Sequence, residues 1–241
     1  MRKQGSNIRR LSHGVAVLYE DKEILVVDKP AGLLTVATEH EKRRTAHSIL
    51  TEYIRTGCGR CRKRLFVVHR LDRDTSGVLI MAKSEEAMSL LKARWKETEK
   101  KYLAIVHGSL EKKSGMITSY LAENENHAVY ATTDSTKGRL AQTVYNVVKE
   151  KKELSLVEVV PLTGRKNQIR VHFAGIGHPI AGDTKYGKKD DRLPRMALHA
   201  RSISFKHPFS GKKLSFETEV PDLFNQMFGR VVAFPADFVL D

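Results

Sequence analysis

The stretch Leu65-Phe-Val-Val-His-Arg-Leu-Asp-Arg-Asp-Thr-Ser-Gly-Val-Leu-Ile-Met-Ala82 sets two apolar runs around a polar centre. Residues 65–68 and 78–82 read as strands: short, aliphatic, and separated by turn-forming Asp, Thr, Ser and Gly. Between them lies His69-Arg-Leu-Asp-Arg-Asp-Thr-Ser-Gly77, the densest polar cluster of the chain. Two flanking strands would hold such side chains on a rigid frame. If the segment is extended, Arg70 and Asp72 face the same side. With Arg70 two residues before it and Arg73 directly after, Asp72 sits in a basic setting. A carboxylate there stays ionised at neutral pH and can act as nucleophile or base. The cluster reads equally as a charged surface turn held by ion pairs, and alone it leaves both readings open.

Upstream, residues 15–19 and 24–28 read as short strands around a turn at Asp21-Lys22, ended by Pro30-Ala-Gly32. Residues 45–55 place Ile49, Leu50, Tyr53 and Ile54 at helical spacing, and 56–64 form a basic loop. Downstream, Ser84 is an N-cap ahead of Glu85 and Glu86, opening a helix whose buried stripe is Met88, Leu91 and Trp95. Strands are expected at 102–106, 144–148, 154–160, 196–205 and 214–217, a short helix at 168–176, and a last helical turn or two at 223–228. Residues 123–139 read as a long irregular excursion. Strands outnumber helices and do not alternate with them. The expectation is an α+β fold with a mixed, largely antiparallel central sheet, flanked by helices and loops. There is no repeat and no low-complexity linker, so residues 14–241 are read as one domain behind a basic arm, 1–13.

Charge narrows the partner. Lys and Arg total 42 against 28 Asp and Glu, a net charge of +14, which suits a polyanionic partner, nucleic acid first and an anionic membrane surface second. At 41% hydrophobic and 29% charged residues the chain is globular rather than disordered. The apolar runs of about five residues fall far short of the roughly 20 needed for a membrane span. The first twelve residues have no apolar centre, so no secretory signal is read and a cytoplasmic location is expected. Cys58 and Cys61 are the only cysteines. With no second pair to complete a zinc site, they are read as ordinary thiols, and no metal is expected.

A second cluster is Leu162-Thr-Gly-Arg-Lys-Asn-Gln-Ile-Arg-Val-His172. Arg165 and Lys166 stand at or before a helix N-terminus, where the dipole disfavours cations; a bound phosphate would account for them. Arg170, between Ile169 and Val171, calls for an anionic partner. Tyr102 opens a strand and by itself reads as a core aromatic. The segment 177–187 is glycine-rich but lacks the spacing of a nucleotide-binding loop, so no cofactor is expected.

Taken together these segments resemble the RluA family of pseudouridine synthases. The likeness runs in order from about residue 15 to 217. It includes Asp28-Lys-Pro-Ala-Gly-Leu33, the 69–77 cluster, Lys101-Tyr-Leu-Ala-Ile-Val-His-Gly108, Gly164-Arg-Lys-Asn-Gln-Ile-Arg-Val-His172, Gly177-His-Pro-Ile-Ala-Gly-Asp183 and Leu198-His-Ala200. The resemblance implies isomerisation of uridine in a structured RNA, ribosomal or transfer; no obligatory protein partner is expected, and oligomeric state stays open with monomer the default. It implies Asp72 as catalytic aspartate and Arg70 as the residue filling the gap left by the flipped base. Tyr102 would pack on that base, Arg170 would pair with the catalytic carboxylate, and Arg165 would contact the RNA backbone. His69 and Gln168, inside the same motifs, are placed with the substrate-binding residues.

Two departures stand out. Many relatives have His where this chain has Asn167, so this position is not expected to carry acid–base work. Many also carry an N-terminal RNA-binding domain where this chain shows only the basic arm. Three rivals are weaker. A non-catalytic RNA binder has no need of Asp72, Tyr102 and Arg170 together. An aspartic protease, hinted at by Asp74-Thr-Ser-Gly77, needs a second such loop. A DNA reader would show a helix-turn-helix or zinc-finger pattern.

Overall fold

The computed structural model describes residues 8–39, 41–56, 63–187 and 193–231. The first seven residues of the basic arm, and the part of the basic loop holding Cys58 and Cys61, lie outside the described residues. The chain runs β1 (Arg9–Arg10), β2 (Ala16–Glu20), β3 (Ile24–Lys29), α1 (Ala46–Arg55), β4 (Phe66–Val67), β5 (Ser76–Ala82) and α2 (Glu85–Ala93). Then follow β6 (Glu99–His107), β7 (Ser114–Glu123), β8 (Val129–Thr132), β9 (Arg139–Lys151), β10 (Leu154–Pro161), α3 (Gln168–Gly175), β11 (Leu198–Lys206), β12 (Lys213–Glu217) and α4 (Asp222–Phe228). This is a mixed α+β fold with largely antiparallel pairing, as the sequence predicts. It forms two compact units, residues 8–98 with 202–218, and 99–201 with 219–231.

In the first unit β2 and β3 form a hairpin, and β3 pairs antiparallel with β5 from Ile24↔Ala82 to Lys29↔Gly77. The turn is set by Asp21, whose Oδ1 accepts the N–H groups of Glu23 and Ile24, both at 2.8 Å. Every residue of β5 is buried, which explains its unbroken apolar run. One face packs Ile24, Val26, Val78 and Ile80 against Ala87 and Leu91 of α2 and Ile203, Phe205 and Phe216. Thr45 and Ser48 form a capping box on α1, and Ser84 caps α2 through the Ala87 N–H. The α2 stripe differs from the expected one. Ala87 and Leu91 are its buried residues, while Met88 and Trp95 are half-buried, and Trp95 belongs to a separate 3-10 turn, Trp95–Glu97.

In the second unit β6, β10, β9, β7 and β8 are neighbours in that order, and all these pairs are antiparallel. The β6–β10 pair is buried on both faces. Ala104, Val106, Val157 and Val159 meet Ile169 and Phe173 of α3, and Leu103, Ile105 and Leu156 meet Phe224 and Phe228 of α4. Here the sequence reading missed two strands. Residues 114–123 form β7, and the supposed irregular excursion contains β8. Much of β7 is exposed or only partly buried, so its sequence shows no apolar run; it is a strand because it pairs with β9 from Ser114↔Asn146 to Leu121↔Arg139.

Candidate active site

In the first unit the segment between β4 and β5 is fixed along its length. Leu71 is buried, and the hydroxyl of Thr35 clamps its backbone, donating to Leu71 O at 2.7 Å and accepting Leu71 N–H at 3.1 Å. Two residues on, Arg73 O accepts a hydrogen bond from Lys29 Nζ at 3.1 Å. That ammonium is fully buried and also donates to Pro30 O and Leu33 O, at 2.9 and 2.7 Å. Lys29 therefore ties the turn after β3 to the Asp72 loop. A tight turn closes the loop through Thr75 N–H to Asp72 O at 3.2 Å. Gly77, at φ 116°, is the second residue of β5 and lies opposite Lys29 in a conformation that favours glycine.

Leu71 is the inward residue of this segment. Asp72 is half-buried and Arg70 is exposed, without a protein partner among the described residues. His69 is turned into the protein: its Nε2 accepts the Ile80 N–H at 3.1 Å and its ring lies 4.8 Å from Trp95. The result is a carboxylate and a guanidinium presented on an immobilised backbone. Such fixing is what nucleophilic or general-base chemistry demands of its residues.

In the second unit α3 carries Arg170, and the structure supplies the anion its sequence called for. Arg170 Nε donates to Asp183 Oδ2 at 2.7 Å and Nη2 to Oδ1 at 2.8 Å. The guanidinium also reaches Asn167 Oδ1 at 3.3 Å and lies 5.1 Å from the centre of the Tyr186 ring. Asp183 Oδ1 additionally accepts the N–H groups of Lys185 and Tyr186. Burial pushes the Asp183 carboxyl up, but Arg170 and those two N–H groups outweigh it and hold the group below its ordinary value. Gly182 makes this position reachable: a Cβ there would lie 2.2 Å from Arg195 O. Asn167, at φ 54°, occupies the left-handed region and donates from Nδ2 to Tyr186 Oη at 3.1 Å. Its amide thus stands between the Arg170 guanidinium and the Tyr186 hydroxyl.

The segment before α3 presents Arg165. Nε donates to Leu140 O at 3.1 Å, and neither Nη has a protein partner among the described residues. Lys166 behaves differently from the sequence expectation: it is bound to Glu123 at 2.6 Å and to His127 O at 3.2 Å, so the tip of the β7–β8 hairpin accounts for it. Gln168 is buried and bonded to Thr143, Gln142 O and the Arg165 N–H, a support rather than an exposed contact. Tyr102, on β6, is half-buried and packs against the cluster that holds Ile169 and Phe173. Lys100, two residues before it, has its ammonium pushed below the ordinary lysine value by burial.

Sequence reasoning missed Lys29, Thr35, Asp183 and Tyr186 as site residues. A lysine ending an apolar strand was a visible signal for the first. For Asp183 the signal was an intrahelical arginine in need of an anion.

A family model described as RNA pseudouridylate synthase matches residues 23–175. An uncharacterized RNA pseudouridine synthase of Bacillus subtilis is 35% identical over 209 residues, which cover 85% of this chain and 68% of that protein. The ribosomal large subunit pseudouridine synthase C of Buchnera aphidicola is 37% identical over 212 residues, 82% of this chain and 65% of that one. The structure of human RNA pseudouridylate synthase domain containing 4 superposes with a TM-score of 0.72 at 24% identity, covering 86% of this chain and 89% of that chain; at that identity the likeness speaks to the fold. With the family model spanning more than half of the chain, and relatives above 30% identity over most of it, the chain belongs to the RNA pseudouridylate synthase family, whose members are isomerases that convert uridine to pseudouridine in RNA.

Proposed function

We propose that the protein isomerises a uridine in structured ribosomal RNA, with Asp72 as the nucleophile. The observation that carries the reading is the Asp72 loop, a half-buried carboxylate on a backbone clamped by Thr35 and Lys29 beside an exposed arginine. Ribosomal RNA is favoured because a relative at 37% identity is named for the large ribosomal subunit. The net charge of +14 supplies attraction to the phosphate backbone.

The target base must leave its stack to be reached, at a cost of a few kcal/mol. Arg70 offsets part of that cost by occupying the vacated gap and meeting phosphates. The bond from the sugar to the base nitrogen breaks, the uracil rotates, and a bond from a ring carbon to the same sugar carbon forms; that ring carbon gives up its proton and the freed nitrogen gains one, so the product is an isomer. No electron is transferred and no group is lost. Tyr102 packs on the extruded base, Arg170 supplies a cation held in place by Asp183, and Arg165 holds backbone phosphate.

The test is carbodiimide-dependent primer extension on ribosomal and transfer RNA treated with wild type and with Asp72→Asn. A new stop in ribosomal RNA that Asp72→Asn cannot make, at RNA affinity within a few-fold of wild type, supports the reading. A stop confined to transfer RNA would move the substrate. Turnover by Asp72→Asn, with deamidation excluded by mass spectrometry, would remove Asp72 from the chemistry.

A further inference from the structure

Gln168 opens α3 with its side chain in the core, and two backbone groups fix the sense of its amide. The Arg165 N–H donates to Oε1 at 3.0 Å, and Nε2 donates to Gln142 O at 2.9 Å. An N–H only donates and a carbonyl only accepts, so the amide has one orientation. The Thr163 hydroxyl also donates to Oε1, at 2.8 Å. The second Nε2 hydrogen goes to Thr143 Oγ1 at 2.9 Å. Thr143 Oγ1 lies 2.9 Å from His172 Nδ1, and His172 Nε2 lies 3.1 Å from Ser119 Oγ. The Thr143 hydroxyl has a single hydrogen, and His172 Nδ1 is its acceptor among the described residues. His172 therefore carries its proton on Nε2 and donates it to Ser119. Burial pushes the ring down to about 4, so it is neutral at pH 7.

Each bond in this chain points the same way, and its central members, Thr143, Gln168 and His172, are 0, 4 and 1% exposed. Apolar side chains would pack α3 onto β9 without the desolvation that buried polar groups require. What apolar side chains cannot do is hold the Arg165 N–H. We propose that the one-way chain from the Arg165 N–H through Gln168, Thr143 and His172 to Ser119 is the positioning device for Arg165. With Nε on Leu140 O, it fixes where the two Nη groups of Arg165, without a protein partner among the described residues, point. The proposal rests on the reading of Arg165 as a phosphate contact, and it makes Thr143, Gln168 and His172 positioning residues for RNA binding.

The experiment measures kcat and KM on a structured ribosomal RNA fragment for wild type, Thr143→Val, Thr143→Ser, Arg165→Ala and the Thr143→Val/Arg165→Ala double variant. Thr143→Val should raise KM about three- to tenfold, the net worth of one hydrogen bond, with kcat within about twofold of wild type. Thr143→Ser keeps the hydroxyl and should restore KM. In the Arg165→Ala background Thr143→Val should add nothing. The same rise in both backgrounds, no rise in wild type, or a fall in kcat at constant KM would overturn the proposal. The proton order is tested in the intact wild-type protein, whatever the fate of Thr143→Val. Long-range proton–nitrogen NMR should show His172 protonated on Nε2, and protonation on Nδ1 would overturn the chain. Arg165→Ala with wild-type KM would instead overturn the phosphate reading, and with it the purpose given to the chain.

Discussion

Arg170 and Asp183 form a two-pronged ion pair, with Nε to Oδ2 at 2.7 Å and Nη2 to Oδ1 at 2.8 Å; the carboxylate is fully buried and the guanidinium 12% exposed. That asymmetry sets the order of two losses. Arg170→Ala strips a buried carboxylate of its cation and should cost about 3–5 kcal/mol. Asp183→Asn should cost less, because the guanidinium keeps a path to solvent. Urea unfolding at pH 7 checks the ranking, and equal losses would refute it. Because the folded Asp183 carboxyl lies below its ordinary value of 3.8, its contribution is present above that pH and is lost as pH falls through the depressed folded value. The penalty of Asp183→Asn should therefore shrink in acid.

The same pair marks the boundary of what the sequence tells. Local signals were strong: Ser84 caps its helix and Asp21 sets its turn. An arginine between Ile169 and Val171 required an anion, but nothing in the spacing named Asp183, which lies 13 positions away and is brought up by a glycine that alone fits against Arg195 O. Strands β7 and β8 were lost for a related reason. A sheet edge with much of its surface in water is decided by its pairing partner, and pairing is a property of the fold.

Lys29 carries a second prediction. Lys29→Met keeps the apolar stem but takes a donor from Pro30 O, Leu33 O and Arg73 O. Buried acceptors deprived of a partner cost about 1–3 kcal/mol each, partly relieved by relaxation, so a loss of about 2–4 kcal/mol is expected. The Asp72 loop should loosen with it. Single-turnover rates should fall about ten- to a hundredfold while RNA affinity by gel shift stays within about twofold. A full-rate Lys29→Met enzyme would show that Thr35 alone holds the loop.

His172 gives the protein a stability step in mild acid. Its folded value of about 4 lies below the ordinary 6.5 because burial disfavours the charged ring. The neutral ring's contribution is complete above pH 6.5 and is lost progressively down to about pH 4, where the unfolded chain takes up a proton that the folded one refuses. The integrated effect is about 2–4 kcal/mol. Unfolding free energies at pH 7 and pH 4.5 should therefore differ more for wild type than for His172→Gln. Parallel pH profiles would mean that the ring protonates in place.

The last prediction separates grip from base extrusion. If the net charge of +14 engages roughly four to six phosphates, log affinity should fall against log salt with a slope of about −3 to −5. Arg165→Ala, which removes the exposed guanidinium, should flatten that slope by about one unit. Arg70 is just as exposed, yet its proposed work is done only once the target base has left the stack. Arg70→Ala should therefore lower the single-turnover rate on a folded RNA and approach the wild-type rate on an RNA whose target uridine is already unpaired and unstacked. Arg165→Ala should lose equally on both, because the backbone it holds is present in each. Equal losses on the two RNAs for Arg70→Ala would reduce Arg70 to one more backbone contact and leave extrusion of the base to other groups.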